Sequence, residues 1–332
     1  MRKLTYAIAL STLLLAGCSQ DEGIMESKGE LVTLNYKVSL GKDVQSRNTT
    51  GEGTSSEGTS SEGTTSEGTA TEGTTPALAV NKLLCVVYEG DKEVLRQIVA
   101  VDAEGKATFE PKLFTTIDYR IVFWAYYDSA EDGADFFDLT NFPQIKVSND
   151  YYTTEMANVY KDAFTATIPV NLSKNEGITD PTLTRPFAQV TLLTSVEDYE
   201  NTTLSNDHLL TPSTCTLTIS NCNSVYDAKS GNWDTSSTIS VTSNVSTTET
   251  KTIGEVGYYY LANEYIFAGG QNVTCGIEVK SNDTTIYSNS VDNVPLTGNL
   301  STNMYNKNLL VGTVNYDITI SLGDFGNVDN NI

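Results

Sequence analysis

The sequence predicts an all-β protein made of two antiparallel β-sandwich domains in tandem. From Leu78 onward, short apolar runs recur with turn residues between them, and helical periodicity is almost absent. Serine and threonine fill many alternate positions, as is typical of the solvent-facing side of a strand. A chain of about 315 residues, which remains after a signal peptide, is long enough for two domains with separate cores.

The N-terminus is built like a bacterial lipoprotein signal. Met1, Arg2 and Lys3 precede an apolar run from Leu4 to Leu15, and small residues stand before Cys18. This run is far shorter than the roughly 20 residues that span a bilayer, so a cleaved signal peptide fits it better than a membrane helix. We therefore predict a signal peptide over residues 1–17, lipidation of Cys18, and a polar tether over residues 18–30.

The first predicted strand is Leu31–Leu40, in which apolar and polar residues alternate strictly. Its apolar face consists of Val32, Leu34, Tyr36, Val38 and Leu40, which is the pattern of a half-buried strand. Five copies of Glu-Gly-Thr follow within residues 51–75, at a strict period of five residues. A stretch made of glycine, serine, threonine and glutamate cannot bury a core, so this repeat is predicted to be a disordered linker.

The remaining strands divide into two predicted domains, residues 31–200 and 201–332. The boundary is placed in the stretch 196–211, which contains none of the apolar runs predicted to be strands. One short helix is expected near Thr153–Lys161. The last predicted strand, Thr313–Leu322, repeats the pattern of the first. Its apolar positions are Val314, Tyr316, Ile318, Ile320 and Leu322.

Composition excludes one class of partner and leaves the redox state open. The net charge of −22 repels phosphate backbones, so we expect no nucleic-acid partner. Apart from Cys18, the chain has four cysteines, which are Cys85, Cys215, Cys222 and Cys275. An even number in an exported chain permits disulfides, but Cys85 lies in an apolar run where a free cysteine acts as a small buried hydrophobe.

Four segments carry a family resemblance. Tyr119–Ala125 contains Phe-Trp-Ala, Lys161–Phe164 contains Asp-Ala-Phe, and Leu183–Gln189 contains Arg-Pro-Phe-Ala-Gln. Asn299–Tyr305 contains Asn-x-x-Thr-Asn, and a final strand ends at Phe325. In these segments the chain resembles the fimbrillin-like lipoproteins of Bacteroidales, a family of type V pilins and related surface proteins. The acidic stretch after Cys18 also resembles the surface-export signal of Bacteroidetes lipoproteins.

This resemblance implies two transthyretin-like sandwiches and assembly by strand exchange. In such pilins an Arg-specific surface protease cuts after the first strand, and the vacated groove accepts a strand of a neighbouring subunit. Arg47 stands where the cleavage arginine would lie, and it is the only basic residue between Lys42 and Lys82. The removable strand is then Leu31–Leu40. Thr313–Leu322 is the matching donor strand, because its five apolar side chains alternate as those of the first strand do. The resemblance implies an outer-membrane lipoprotein on the cell surface, or a fimbrium after maturation, whose partners are other pilin subunits.

No motif for catalysis or metal binding is evident, so we expect neither enzymatic activity nor a cofactor. The only histidine, His208, has no partner imidazole and is interpreted as a solvated loop residue. An acidic cluster does not have the spacing of an EF-hand and is interpreted as a solvated loop rather than a calcium site. Its members are Asp128, Glu131, Asp132, Asp135 and Asp138.

Two functional hypotheses follow. The first is a pilin precursor or accessory fimbrial subunit, lipidated at Cys18 and cut after Arg47. The alternative is a surface lipoprotein that does not polymerise and binds a glycan or a host ligand. Strand aromatics such as Trp124 and Tyr258–Tyr260 could form a sugar platform, although aromatics that alternate in strands usually pack in cores.

Overall fold

The computed structural model describes residues 29–41, 79–128, 136–148, 151–152, 158–205, 210–234, 237–310 and 317–325. The first strands are β1 (Leu31–Thr33), β2 (Tyr36–Leu40), β3 (Lys82–Glu89), β4 (Lys92–Ala100), β5 (Lys106–Phe109), β6 (Lys112–Phe114), β7 (Asp118–Tyr126), β8 (Phe137–Asp138), β9 (Gln144–Val147), β10 (Ala163–Asn171), β11 (Thr182–Leu183) and β12 (Phe187–Ser195). Helix α1 (Val196–Ser205) follows. The later strands are β13 (Thr214–Cys222), β14 (Val225–Asp227), β15 (Asn232–Asp234), β16 (Ser237–Asn244), β17 (Ser246–Ile253), β18 (Val256–Phe267), β19 (Gln271–Ser281), β20 (Thr284–Leu296), β21 (Leu300–Asn306) and β22 (Thr319–Asp324).

The prediction of an all-β protein is confirmed. The first sandwich packs the sheet β10-β7-β3-β4 against the sheet β11-β2-β5 and the pair β1-β6. The second packs β17-β18-β12-β21-β22 against β16-β13-β19-β20. Most pairs are antiparallel, as predicted, but β2 pairs with β11 in parallel and β12 pairs with β21 in parallel.

The central strands of the first sandwich are buried on both faces, which explains their unbroken apolar runs. Along β3, Leu83, Cys85 and Val87 face the core of the first sandwich, while Leu84 and Val86 face a central aromatic cluster. This cluster is covered by a sheet of order β15-β14-β9-β8, to which both halves of the chain contribute strands. The two sandwiches therefore share a third core, which this sheet covers.

The predicted domain boundary at residue 200 is wrong for Phe187–Ser195. This strand, β12, lies in the middle of the second sandwich, antiparallel to β18 and parallel to β21. The chain crosses between the sandwiches before Phe187. Polarity suggested a boundary at 196–211, but that stretch begins with α1, and a polar helix on the surface has the same composition as a linker.

Helix α1 has a start signal that the sequence interpretation missed. The Ser195 hydroxyl accepts the backbone N–H of Asp198 at 3.0 Å, which is the geometry of an N-cap. The Asp198 carboxylate in turn accepts the Leu310 N–H at 2.7 Å. Of the helix expected near Thr153–Lys161, the described residues contain a 3₁₀ turn, Asn158–Lys161.

Two of the four motif segments, Lys161–Phe164 and Leu183–Gln189, meet Phe325 where the chain crosses between the sandwiches. The Arg185 Nε donates to both carboxylate oxygens of Asp162 at 2.9 Å, and the two side chains are at most 1% exposed. The guanidinium lies between two rings, 4.5 Å from the centroid of Phe164 and 4.4 Å from that of Phe325. The other two guanidinium nitrogens meet no acceptor among the described residues. Asp162 is thus the anionic partner of a buried cation.

We predict that Asp162→Asn destabilises the protein by about 3–5 kcal/mol, because it leaves the buried Arg185 charge unpaired. Urea unfolding followed by fluorescence measures this change. The control is Glu93→Gln, which breaks the half-exposed Glu93–Arg96 pair and should cost about 0–1 kcal/mol. Equal effects of the two substitutions would contradict the role of the junction pair.

The four cysteines beyond Cys18 are free and buried. Burial raises the pKa of Cys215 and of Cys275 to about 12, and the reactive form of a cysteine is its thiolate. We expect these four thiols of the lipidated protein to be inert to Ellman's reagent in the native state and to react after unfolding. Rapid reaction in the native state, or fewer than four thiols after unfolding, would contradict this description.

Candidate functional site

The N-terminal strand lies in the interior of a sheet. β2 has β5 on one edge, antiparallel, and β11 on the other, parallel, while β1 pairs with β6. The predicted continuous strand Leu31–Leu40 is therefore two short strands. The chain changes pairing partners at Leu34, whose N–H donates to Pro111 O at 3.0 Å. The ladder breaks there because Pro111 has no N–H with which to continue it.

The alternation of burial persists across this break, as predicted. Tyr36, Val38 and Leu40 are only 1–2% exposed and belong to the core of the first sandwich. Val32 and Leu34 are half-buried, and the intervening polar residues are exposed or half-buried. The removable-strand residues are thus brought to one face, with most of the burial in the second half of the strand.

Tyr36 makes the most specific contacts of this strand. Its ring stacks on Phe109, with centroids 6.4 Å apart, and meets the edge of Phe123 at 6.3 Å. Its hydroxyl donates to Gly177 O at 2.6 Å. Desolvation by burial raises the pKa of Tyr36 to about 12, so the hydroxyl stays a hydrogen-bond donor throughout the physiological pH range.

Residues on both sides hold the backbone and the exposed side of this strand. The backbone N–H of Lys37 donates to the Asp180 carboxylate at 2.8 Å, and the Asn35 side-chain amide donates to Glu110 at 2.6 Å. Gly177 has a φ of +72°, and a Cβ there would lie 2.0 Å from Pro169 O, so no other residue fits without moving the backbone. Glu110, Gly177 and Asp180, which flank β2, are called the wall residues below. The sequence did not predict them, because no local pattern indicates which loop will flank a distant strand.

The C-terminal strand lies at the edge of its sheet. β22 pairs with β21 alone among the described strands. Ile318 and Ile320 are half-buried against the core of the second sandwich, whereas Leu322 is 50% exposed. The described strand Thr319–Asp324 begins and ends later than the predicted Thr313–Leu322. Val314 and Tyr316 lie outside the described residues.

Several predicted sites also lie outside the described residues. These are the signal peptide, Cys18, Arg47, the Glu-Gly-Thr repeat, His208, and three members of the acidic cluster, Glu131, Asp132 and Asp135. Within the described ranges, no group of three or more metal-binding side chains occurs. No helix in those ranges is long and apolar enough to cross a membrane.

The aromatics considered for a sugar platform pack mostly inside the protein. Trp124, Tyr258 and Tyr260 are buried. Tyr259 is half-buried and lies 5.3 Å from Tyr199, measured between ring centroids. These contacts agree with the interpretation that the strand aromatics fill cores and cross-strand pairs.

An open cleft of about 440 Å³ lies between β10 and the β14–β15 hairpin. Threonine hydroxyls, Tyr226 and the exposed Arg120 line it. Arg120 donates to Lys229 O at 3.2 Å, and the Lys229 ammonium pairs with Asp91 at 2.7 Å. The cleft therefore offers hydroxyl and guanidinium groups, which can bind sugar hydroxyls or a carboxylate.

Similar solved structures include three bacterial adhesion and fimbrial proteins. A candidate cell adhesion protein from Bacteroides eggerthii is 11% identical, with 90% of this chain and 97% of that chain covered and a TM-score of 0.47. A fimbrial assembly protein from Parabacteroides distasonis is 10% identical, with 89% and 96% covered and a TM-score of 0.42. The fimbrial anchor protein Mfa2 from Porphyromonas gingivalis is 14% identical, with 75% and 91% covered and a TM-score of 0.40.

The three neighbours are Bacteroidales proteins described as adhesion, fimbrial assembly and fimbrial anchor proteins. No curated protein matches this chain. Residues 32–329 match the sequence model of one protein family, and this match spans both sandwiches. The chain therefore belongs to the family of unknown function DUF6562.

Proposed function

We propose that this protein is a structural or accessory subunit of a fimbrillin-type pilus, made as a surface lipoprotein and assembled by strand exchange. The observation that carries the proposal is the position of β2. It lies between β5 and β11, near the N-terminus of the chain, with three side chains buried in the core. Full burial of such side chains contributes about 1.5–3 kcal/mol each.

Removing this strand would expose two sheet edges and three apolar cavities at once. Unpaired backbone groups and apolar cavities together favour the addition of another strand. Arg47 follows β2 by only a few residues in the sequence and precedes the acidic repeat. A protease that cuts after Arg47 would separate residues 18–47, including lipidated Cys18, from the rest of the chain.

In this proposal the lipid at Cys18 holds the precursor on the outer membrane at the cell surface. An Arg-specific surface protease then releases the first strand, and a strand of a neighbouring subunit replaces it. Thr313–Leu322 is the donor, because it repeats the alternating pattern and part of it lies in an edge strand that pairs, among the described strands, with β21 alone.

A second candidate function is ligand capture by an anchored lipoprotein that does not polymerise. The cleft between β10 and the β14–β15 hairpin favours it, since Arg120 and several hydroxyls line this opening in an otherwise acidic protein. This function requires no cleavage and leaves β1 and β2 in place. Glycans or host ligands with a carboxylate would suit the cleft.

The first test is the N-terminal residue and intact mass of the protein taken from its native cell surface, with unheated gel electrophoresis. We expect a start at Asn48 and a ladder that heating abolishes. Arg47→Ala should retain acylated Cys18 and remove the ladder, whereas Lys42→Ala should behave as wild type because the protease is Arg-specific. An acylated Cys18 without a ladder in the wild type would overturn the proposal for a polymerising subunit and favour the anchored binding protein.

A further inference from the structure

Two segments near the ends of the chain share an eight-residue pattern that goes beyond amphipathic alternation. Thr33–Leu40 has the sequence TLNYKVSL, and Thr313–Ile320 has the sequence TVNYDITI. Threonine, asparagine and tyrosine are identical at the first, third and fourth positions. The inward positions hold aliphatic residues in both segments, apart from the shared tyrosine.

The inward aliphatic positions also conserve volume. Leu34, Val38 and Leu40 of the first segment correspond to valine, isoleucine and isoleucine in the second. The first exchange removes one methylene, the second adds one, and the third is isomeric. Such volume-conserving exchanges between aliphatic residues are the ones that a packed core tolerates best.

The space that β2 fills between β5 and β11 is called the slot. In the first segment, the asparagine and tyrosine shared by both segments make side-chain hydrogen bonds to the slot. The Asn35 amide donates to Glu110, and the Tyr36 hydroxyl donates to Gly177 O. Removal of β2 would leave the Glu110 carboxylate and the Gly177 carbonyl without these donors. A segment with Asn-Tyr at the same two positions replaces both hydrogen bonds, which an arbitrary amphipathic strand would not do.

We infer that Thr313–Ile320 of a second copy of this chain occupies the slot in the direction and register of Thr33–Leu40, with Tyr316 in the place of Tyr36. This inference rests on the proposed function and adds its partner and register. It makes the subunit self-complementary, so a single gene product can form a homopolymer. Asp317 takes the place of Lys37, whose side chain is exposed, so the charge reversal falls on the solvent face.

A competing register places the five apolar residues from Val314 to Leu322 on the five from Val32 to Leu40. It would put Ile318 into the cavity of Tyr36 and leave the Gly177 carbonyl unpaired. The register with paired tyrosines leaves Leu322 beyond the slot.

Transfer of the strand increases its burial. Ile318 and Ile320 are half-buried in the subunit, while the positions they would take, Val38 and Leu40, are each 2% exposed. β22 pairs with one neighbour among the described strands, whereas the slot offers β5 on one edge and β11 on the other. The exchange therefore adds apolar burial and a second set of backbone hydrogen bonds.

Cysteine pairs can distinguish the two registers in the assembled polymer. Lys37 lies opposite Thr108 on β5, and both residues are exposed. The Lys37 N–H points away from β5, to Asp180, so this is a non-hydrogen-bonded pair, in which the Cα atoms lie about 4.5 Å apart. That separation permits a disulfide. The chain with Asp317→Cys and Thr108→Cys tests the inferred register, and the chain with Thr319→Cys and Thr108→Cys tests the shifted one.

We expect mild oxidation of the mature polymer to convert the first variant into a heat-resistant ladder that reducing agent abolishes, and to leave the second as monomers after heating. Cross-linking of the second variant alone, or of neither in a polymer that still forms a heat-sensitive ladder, would overturn the inferred register and leave strand exchange intact. Absence of any ladder in the wild type would overturn the proposed function and this inference together.

A peptide of residues 311–322, added to the full chain while it is cleaved after Arg47, tests the same register by its affinity for the slot, measured as the peptide concentration that blocks ladder formation. Tyr316→Ala should weaken binding about a hundredfold or more, since it empties an aromatic cavity. Tyr316→Phe should weaken it about two- to tenfold, through loss of the bond to Gly177 O. The control substitution Leu322→Ala should leave the affinity unchanged. A large loss with Leu322→Ala, or none with Tyr316→Ala, would overturn the register.

Discussion

The first sandwich depends on the backbone pairing of one short strand on both of its edges. β2 connects β5 to β11, and without it the sheet of three strands would have none of its ladders left. Every N–H and C=O group that β2 satisfies would then need water or another strand. Since the apolar side chains of β2 also fill the core, water is a poor substitute. A second extended segment with similar side chains is the replacement that satisfies both requirements.

This constraint gives the wall residues a role that their chemistry alone does not suggest. Glu110, Gly177 and Asp180 are ordinary loop residues by composition, yet each contacts the strand at a defined position. Together they make the slot selective for register as well as for hydrophobicity. A slide by two residues would keep the same face buried but would lose the bonds from asparagine and tyrosine.

The rest of the molecule packs around the sheet β10-β7-β3-β4, which has two apolar faces. Side chains of β3 and β7 pack in the core of the first sandwich on one face of this sheet and in the central aromatic cluster on the other. The buried pair of Asp162 and Arg185 lies where the chain crosses to the second sandwich, and Phe325 covers the guanidinium. The C-terminal strand is therefore held by aromatic packing at its end as well as by its pairing with β21.

The sequence by itself determined the all-β class, the inward face of the first strand and the segments that build the junction. These are properties of local periodicity and composition, such as the alternation around Tyr36. The sequence was misleading around residue 200, where polarity suggested a linker but Ser195 caps a surface helix. Only the tertiary structure decided that Phe187–Ser195 belongs to the second sandwich, that β8 and β9 share a sheet with β14 and β15, and that Glu110 and Gly177 face Asn35 and Tyr36. These facts depend on contacts between residues far apart in the chain, and local periodicity carries no information about which distant segments will pair.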